Sequence, residues 1–306
     1  MTVTGFDRQI GIAAALSAGI IWGFLGFFVR EMDAMGMTPM QMTCMRYIVV
    51  TVAVGAFILM KDRGLFRTNR NSFAIFLVMG VVGAILNSTL YFSSMSYISL
   101  SLAAVLQCST PFVVVILAIP ILHERLTRTK MLAIVGSFIG CVLCTGVLTA
   151  EGPMDLFGIA IAAISCFCYS TYIIGSKIEA GKGTPLATIL FYTSLICVIG
   201  LLPICDFPAA VSLTINDPSL FALIVGSGLL VTLLPFLLFN YSLTKIEAGE
   251  ASIYSFVEPM VATIAGLLFY NEVIDITTVA GIFLILVSLI FLNRRGGRRG
   301  QDPNPK

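Results

Sequence analysis

Residues 101–124 read SLAAVLQCSTPFVVVILAIPILHE, and residues 249–272 read GEASIYSFVEPMVATIAGLLFYNE. At an offset of 148, Ala103 falls on Ala251, Pro111 on Pro259 and Glu124 on Glu272. The match extends outward. GIAAALSAGIIWG at 11–23 falls on GIAIAAISCFCYS at 158–170, offset 147, which sets Trp22 on Tyr169 and Arg30 on Lys177. Thr38-Pro39-Met40 answers Thr184-Pro185-Leu186, which sets Arg46 against Tyr192. Three matches in one order, at nearly one offset, imply a duplicated chain divided near residue 150.

The duplicated unit is a membrane unit. Of 306 residues, 58% are hydrophobic and 11% charged, less than half the charge of an ordinary soluble domain. Mean hydropathy is +0.99. A soluble protein has too little surface to hide so much apolar material. Reading from turn signal to turn signal gives ten apolar spans, at 10–29, 39–60, 73–93, 100–122, 130–149, 155–176, 185–204, 219–243, 249–270 and 276–293. Each is near the length that crosses a bilayer. The first span lacks a small-residue cleavage pattern and reads as a span rather than a cleavable signal.

Charge sets the orientation. With the N-terminus inside, sixteen of the 18 Lys and Arg fall on the inner side, Arg30 falls outside and Arg46 lies within a span. That asymmetry places both termini in the cytoplasm of an inner, plasma-membrane protein. Five spans per half is an odd number, so the second half enters from the opposite face. The expected architecture is all-α, with ten transmembrane helices as two inverted repeats: residues 1–150, residues 151–293 and a basic cytoplasmic tail, 294–306. Such repeats recur in secondary transporters.

Polar groups inside spans are expensive and mark candidate sites. Glu258 lies near mid-membrane before Pro259, which opens the local helix. Desolvation penalises a carboxylate there, which suits proton coupling; the alternative is that Glu258 only bonds backbone freed by the proline. Arg46 either binds a substrate carboxylate, snorkels outward or forms an internal ion pair. Glu124 and Glu272 end equivalent spans and read as turn-fixing residues. Trp22, Asn87, Tyr91, Gln107, Thr110, Tyr169, Tyr172, Asn240 and Tyr254 are candidate substrate contacts, each equally able to serve in packing. Pro111 and Pro259 are candidate hinges. Spans one, three, four, six, eight and nine should line a cavity, with five and ten at the periphery.

Other chemistries are poorly served. The sequence has a single histidine, His123, and no P-loop or paired metal-ligand motif, so no metal or cofactor is expected. Net charge is only +2, which gives no reason to expect nucleic acid. The eight cysteines lie mostly in apolar runs and read as small, reduced packing residues. A membrane-embedded enzyme or sensor is the rival function, but it would need two catalytic acids, a Ser–His pair or a metal cluster.

The sequence resembles the EamA-type branch of the drug/metabolite transporter superfamily over about residues 10–293. The resemblance rests on the 5+5 layout, on Trp22-Gly23, and on Pro111 to Glu124 and Glu258-Pro259 to Glu272. It implies a ten-helix basket around a central cavity working by alternating access. It also implies small-molecule substrates, often amino acids or their relatives, commonly exported. The partners expected are that substrate and the lipid bilayer, with the chain a monomer or homodimer.

Overall fold

The computed structural model of the chain describes residues 5–148, 155–270 and 275–299. Every regular element among them is helical. A chain inside lipid must satisfy its backbone within each segment, and helices do so. In the first half these are α1 (Gly5–Gly23), α2 (Leu25–Ala34), α3 (Pro39–Lys61), α4 (Arg70–Gly80), α5 (Asn87–Ser94), α6 (Leu100–Gln107), α7 (Thr110–Leu122) and α8 (Arg128–Cys144). The second half has α9 (Leu156–Gly181), α10 (Leu186–Leu201), α11 (Phe207–Asn216), α12 (Pro218–Gly228), α13 (Leu234–Lys245), α14 (Ala248–Tyr254), α15 (Val257–Tyr270) and α16 (Ile276–Arg299).

Joined across short breaks, these form eight helices long and apolar enough to cross a membrane, from Gly5–Ala34 to Ile276–Arg294. The expected fifth and seventh spans are shorter: α8 has 17 residues and α10 has 16. The residues near 150, Glu272 and the end of the basic tail lie outside the described residues.

The duplication is visible in backbone detail. A wide-turned π segment interrupts one helix in each half, at Val81–Leu86 and at Leu229–Leu233, again 148 apart. Such wide turns are rare and gather at functional sites. Thr232 donates its hydroxyl 3.0 Å to the Ser227 carbonyl in the second of them. Helix caps recur as well. Asn69 caps α4 and Asp217 caps α12; Thr127 caps α8 and Asp275 caps α16.

Close helix contacts fix the register. A Cβ at Gly11 would stand 2.7 Å from Lys245 Cβ and 3.0 Å from Ile246, while one at Gly158 would stand 2.6 Å from Tyr97 Cβ and 2.9 Å from Ile98. Likewise Gly80 sits against Ile196 and the Thr193 carbonyl, and Gly228 against Val49 and the Arg46 carbonyl. These contacts correct one expectation. Arg46 is matched by Thr193, not Tyr192, because Pro39 opens α3 whereas Pro185 is the residue before α10. Packing partners repeat too: α1 lies on α13 and α15, and its counterpart α9 on α5 and α7. Helices α3 and α10 pair, as do α8 and α16.

Candidate functional site

Within the bundle lies a cavity of about 710 Å³. Five of the eight crossing helices are broken at its wall. The first turns at Phe24, between α1 and α2. The π segments break the third and sixth. The two-residue turns Cys108–Ser109 and Ser255–Phe256 precede Thr110-Pro111 and Val257-Glu258-Pro259. Beside four of these breaks the polar side chains of Asn87, Thr110, Thr232 and Glu258 line the cavity, the place where a membrane protein tolerates them.

Ten of the thirteen candidate residues line this cavity: Trp22, Arg46, Asn87, Tyr91, Gln107, Thr110, Pro111, Tyr169, Glu258 and Pro259. Gln107 organises one wall. Its amide nitrogen reaches Asn87 Oδ1 at 3.4 Å, its amide oxygen accepts from Ser165 Oγ at 3.1 Å, and its carbonyl accepts from Thr110 Oγ1 at 2.7 Å. Trp22 forms an apolar wall, edge-on to Phe236 with centroids 5.4 Å apart.

The two charged candidates remain available to a ligand. Arg46 Nε donates 3.3 Å to the Met42 carbonyl, and Nη2 lies 3.4 Å from Thr43 Oγ1. Among the described residues it has no ion-pair partner. Glu258 donates its backbone N–H to Ser255 at 2.9 Å. Its carboxyl has no hydrogen-bond or ion-pair partner among the described residues, so it does not bond the backbone opened by Pro259.

Three candidates sit elsewhere. Tyr172 and Asn240 are buried and bond each other, with Asn240 Nδ2 3.0 Å from the Tyr172 hydroxyl. Tyr254, only 1% exposed, lies one turn beyond Glu250 on α14, toward the closed end of the molecule. All three face neighbouring helices, and helical spacing alone does not say which neighbour covers a face. The lining also differs from expectation by including α3, through Thr43, Arg46 and Tyr47, and the end of α8, through Cys144 and Thr145. The clue to α3 was Arg46 itself, whose neighbour three residues earlier, Thr43, shares its helix face. Cys108 and Cys144 both line the cavity; Cys108 is half-buried and the other seven cysteines are buried.

The cavity is shut at one end by a charged clasp around the α13–α14 junction. Asp7 of α1 pairs with Lys245 at 2.7 Å, and Arg8 pairs with Glu250. Lys130 of α8 pairs with Glu247 and lies 3.7 Å from Glu124. Glu124 accepts from the backbone N–H groups of Ala248 and Gly249. Lys177 of α9 donates to the carbonyls of Leu243 and Ile246 at 2.7 and 2.6 Å. Glu124 was expected to fix its own following turn; it instead caps a helix of the other half. The cavity-lining residues run from mid-helix to the opposite end, where Arg30, Ser101 and Thr145 form the rim.

A helical membrane bundle broken around a polar cavity, and clasped at one end, is built as a transporter of small molecules. The chain belongs to the EamA-like transporter family, whose profile matches residues 9–146 and again 156–294. It is 26% identical to an uncharacterized transporter of Archaeoglobus fulgidus, over 90% of this chain and 95% of that one. It is 23% identical to the pseudopaline exporter CntI of Pseudomonas aeruginosa, over 93% and 96%. It is 24% identical to the inner membrane transporter YhbE of Escherichia coli, over 64% and 62%. A solved crystal structure superposes with a TM-score of 0.78 over 96% of this chain and 100% of that one, at 15% identity, a likeness of fold. The chain is therefore an integral membrane secondary transporter and not an enzyme.

Proposed function

We propose that this transporter has ten spans, the shorter α8 and α10 completing the eight long ones, arranged as inverted halves at 1–150 and 151–293 with a basic tail at 294–306. Both termini are cytoplasmic in the plasma (inner) membrane, so the clasp faces inward and the cavity outward. Seventeen residues at 1.5 Å each reach about 25 Å, near the hydrocarbon thickness. Reporter fusions after Arg70, Lys130 and Lys182 should report cytoplasm, and those after Met35, Glu151 and Asp217 the exterior. A cytoplasmic report at 217 would overturn the orientation of the second half.

The substrate is a small amino-acid-like or amphipathic metabolite, moved outward by alternating access with proton coupling at Glu258. The observation that carries this is the presence, in one cavity, of a carboxyl without a hydrogen-bond partner among the described residues and a guanidinium without an ion-pair partner among them, beside aromatic walls. Arg46 would take a substrate carboxylate, Trp22 and Tyr169 an apolar side, and Asn87, Tyr91, Gln107 and Thr110 further polar groups; Pro111 and Pro259 serve as hinges. Tyr172 and Asn240 support Phe236, a wall residue, from behind. Export follows the likeness to CntI. The test is counterflow in proteoliposomes across amino acids, nucleosides and amphipathic drugs. Exchange without chemical change supports the reading, whereas no exchange of any class, with protein shown to be inserted, would remove it.

A further inference from the structure

The clasp contains a contact whose counterpart is not made among the described residues of the other end. Lys177 Nζ donates to the Leu243 and Ile246 carbonyls at the end of α13. The last carbonyls of a helix lack partners within it, and a cation there also meets the negative end of the helix dipole. One ammonium thus ties α9 to the end of α13. The repeat carries Lys177 to Arg30, Leu243 to Met95 and Ile246 to Ile98. The equivalence holds at that very spot, because Gly11 abuts Lys245 and Ile246 while Gly158 abuts Tyr97 and Ile98.

Arg30 is placed differently here. α9 runs unbroken through Lys177, but the first helix breaks at Phe24 before it reaches Arg30. The Arg30 guanidinium lies over the Tyr270 ring, 4.6 Å from its centroid, at the rim of the cavity. We infer that Arg30 is the positioning residue that closes the outer face: as α2 swings inward, its guanidinium leaves Tyr270 and donates to the Met95 and Ile98 carbonyls, as Lys177 does inside. A guanidinium with five donors can span two carbonyls as the ammonium does. This rests on the alternating-access reading.

The test uses the full-length transporter in membranes, with Cys108 as its sole cysteine. A membrane-impermeant maleimide is applied from outside and, in inverted vesicles, from inside. The ratio of outside to inside labelling reports the two populations whatever their starting balance. Arg30→Met should raise that ratio about tenfold and Lys177→Met lower it about tenfold, the weight of a charge-assisted hydrogen bond. Arg30→Lys, which keeps a donor, should stay near the unsubstituted protein. If Lys177→Met lowers the ratio while Arg30→Met leaves it unchanged or lowers it, Arg30 serves the Tyr270 contact of the open state and the inference fails. If Cys108 is never labelled from inside in any variant, alternating access itself fails with it.

Discussion

The two ends of the molecule share one scaffold and differ in chemistry. At the clasped end Lys245, Glu247 and Glu250 meet Asp7, Arg8, Glu124, Lys130 and Lys177. Their repeat positions at the other end include Tyr97, Ser99 and Leu102 around the equivalent junction, with Thr278 in place of Lys130 and Arg30 in place of Lys177. The helix caps invert the pattern: the neutral Asn69 and Thr127 answer the acidic Asp217 and Asp275. Helix geometry was thus duplicated while charge was redistributed. The closed end is held by paired ions, whereas the described contacts of the opposite end include the Arg30 guanidinium over the Tyr270 ring and the Tyr270 hydroxyl bonded to Glu31, which makes the two faces unequal partners in any switch between them.

The largest test of that contrast is Lys130→Met. It removes the cation that Glu247 and the buried Glu124 share, at a cost of about 1–3 kcal/mol, since Glu247 is half exposed and Glu124 keeps two backbone N–H donors. Thr278→Val at the equivalent position should cost less than about 1 kcal/mol. Thermal unfolding in detergent measures both, and equal losses would erase the asymmetry. Next come the glycines that set the common scaffold. Gly80→Ala and Gly228→Ala each drive a Cβ within 2.8 Å of a β-branched neighbour, and each should cost about 1–3 kcal/mol by overpacking. A clearly larger loss in one half would mean that the scaffold is not shared at that depth.

Trp22 and Tyr169 are repeat-related wall residues. Replacing Trp22 with leucine removes an aromatic contact of about 0.5–1.5 kcal/mol and should weaken substrate binding about three- to tenfold, read by isothermal titration. An equal effect at both positions would show a symmetric site, whereas unequal effects would locate the apolar end of the substrate. The smallest effect concerns the acidic caps. Hydrogen bonds from the Ser219 hydroxyl and the Ser219 and Leu220 amides hold the Asp217 carboxyl below its usual range. The Thr278 amide and hydroxyl and the Thr277 hydroxyl do the same for Asp275. A lowered folded value means that the stabilisation is full above the unfolded pKa, near 4, and is lost as pH falls through the folded one. Asp217→Asn keeps a cap and should leave stability at pH 7 nearly unchanged while flattening its decline in acid. A decline as steep as before would assign acid sensitivity to other groups.

Much of this architecture was legible because membrane helices must be continuous in apolarity, and duplication leaves matched punctuation such as Pro111 and Pro259. The cavity was partly legible for the same reason, since polar residues beside helix breaks have few other uses in lipid. The clasp was not read. In the sequence Arg8, Lys130, Lys177 and Lys245 read as orientation signals and Glu124 as a turn-fixing residue, although Glu124, Glu247 and Glu250 sit at span ends where those bases end too. Pairing across 242 residues, as between Arg8 and Glu250, follows from packing and not from local pattern. Tyr172, Asn240 and Tyr254 show the converse limit. Their spacing marked a shared polar face, but only the neighbouring helices decided that these side chains meet protein.

Glu258 is the group whose protonation we propose is tied to the state of the cavity, and a ligand shifts such an equilibrium only through differential affinity. The direct measurement compares Glu258→Gln with the unsubstituted protein in proteoliposomes carrying a proton gradient. Glutamine preserves volume and a hydrogen-bonding group but cannot carry the proton. Gradient-driven accumulation should fall at least about tenfold, the scale of losing a positioned proton carrier, while counterflow exchange of the same substrate continues. Accumulation that survives with unchanged pH dependence would contradict the account and return Glu258 to a structural role.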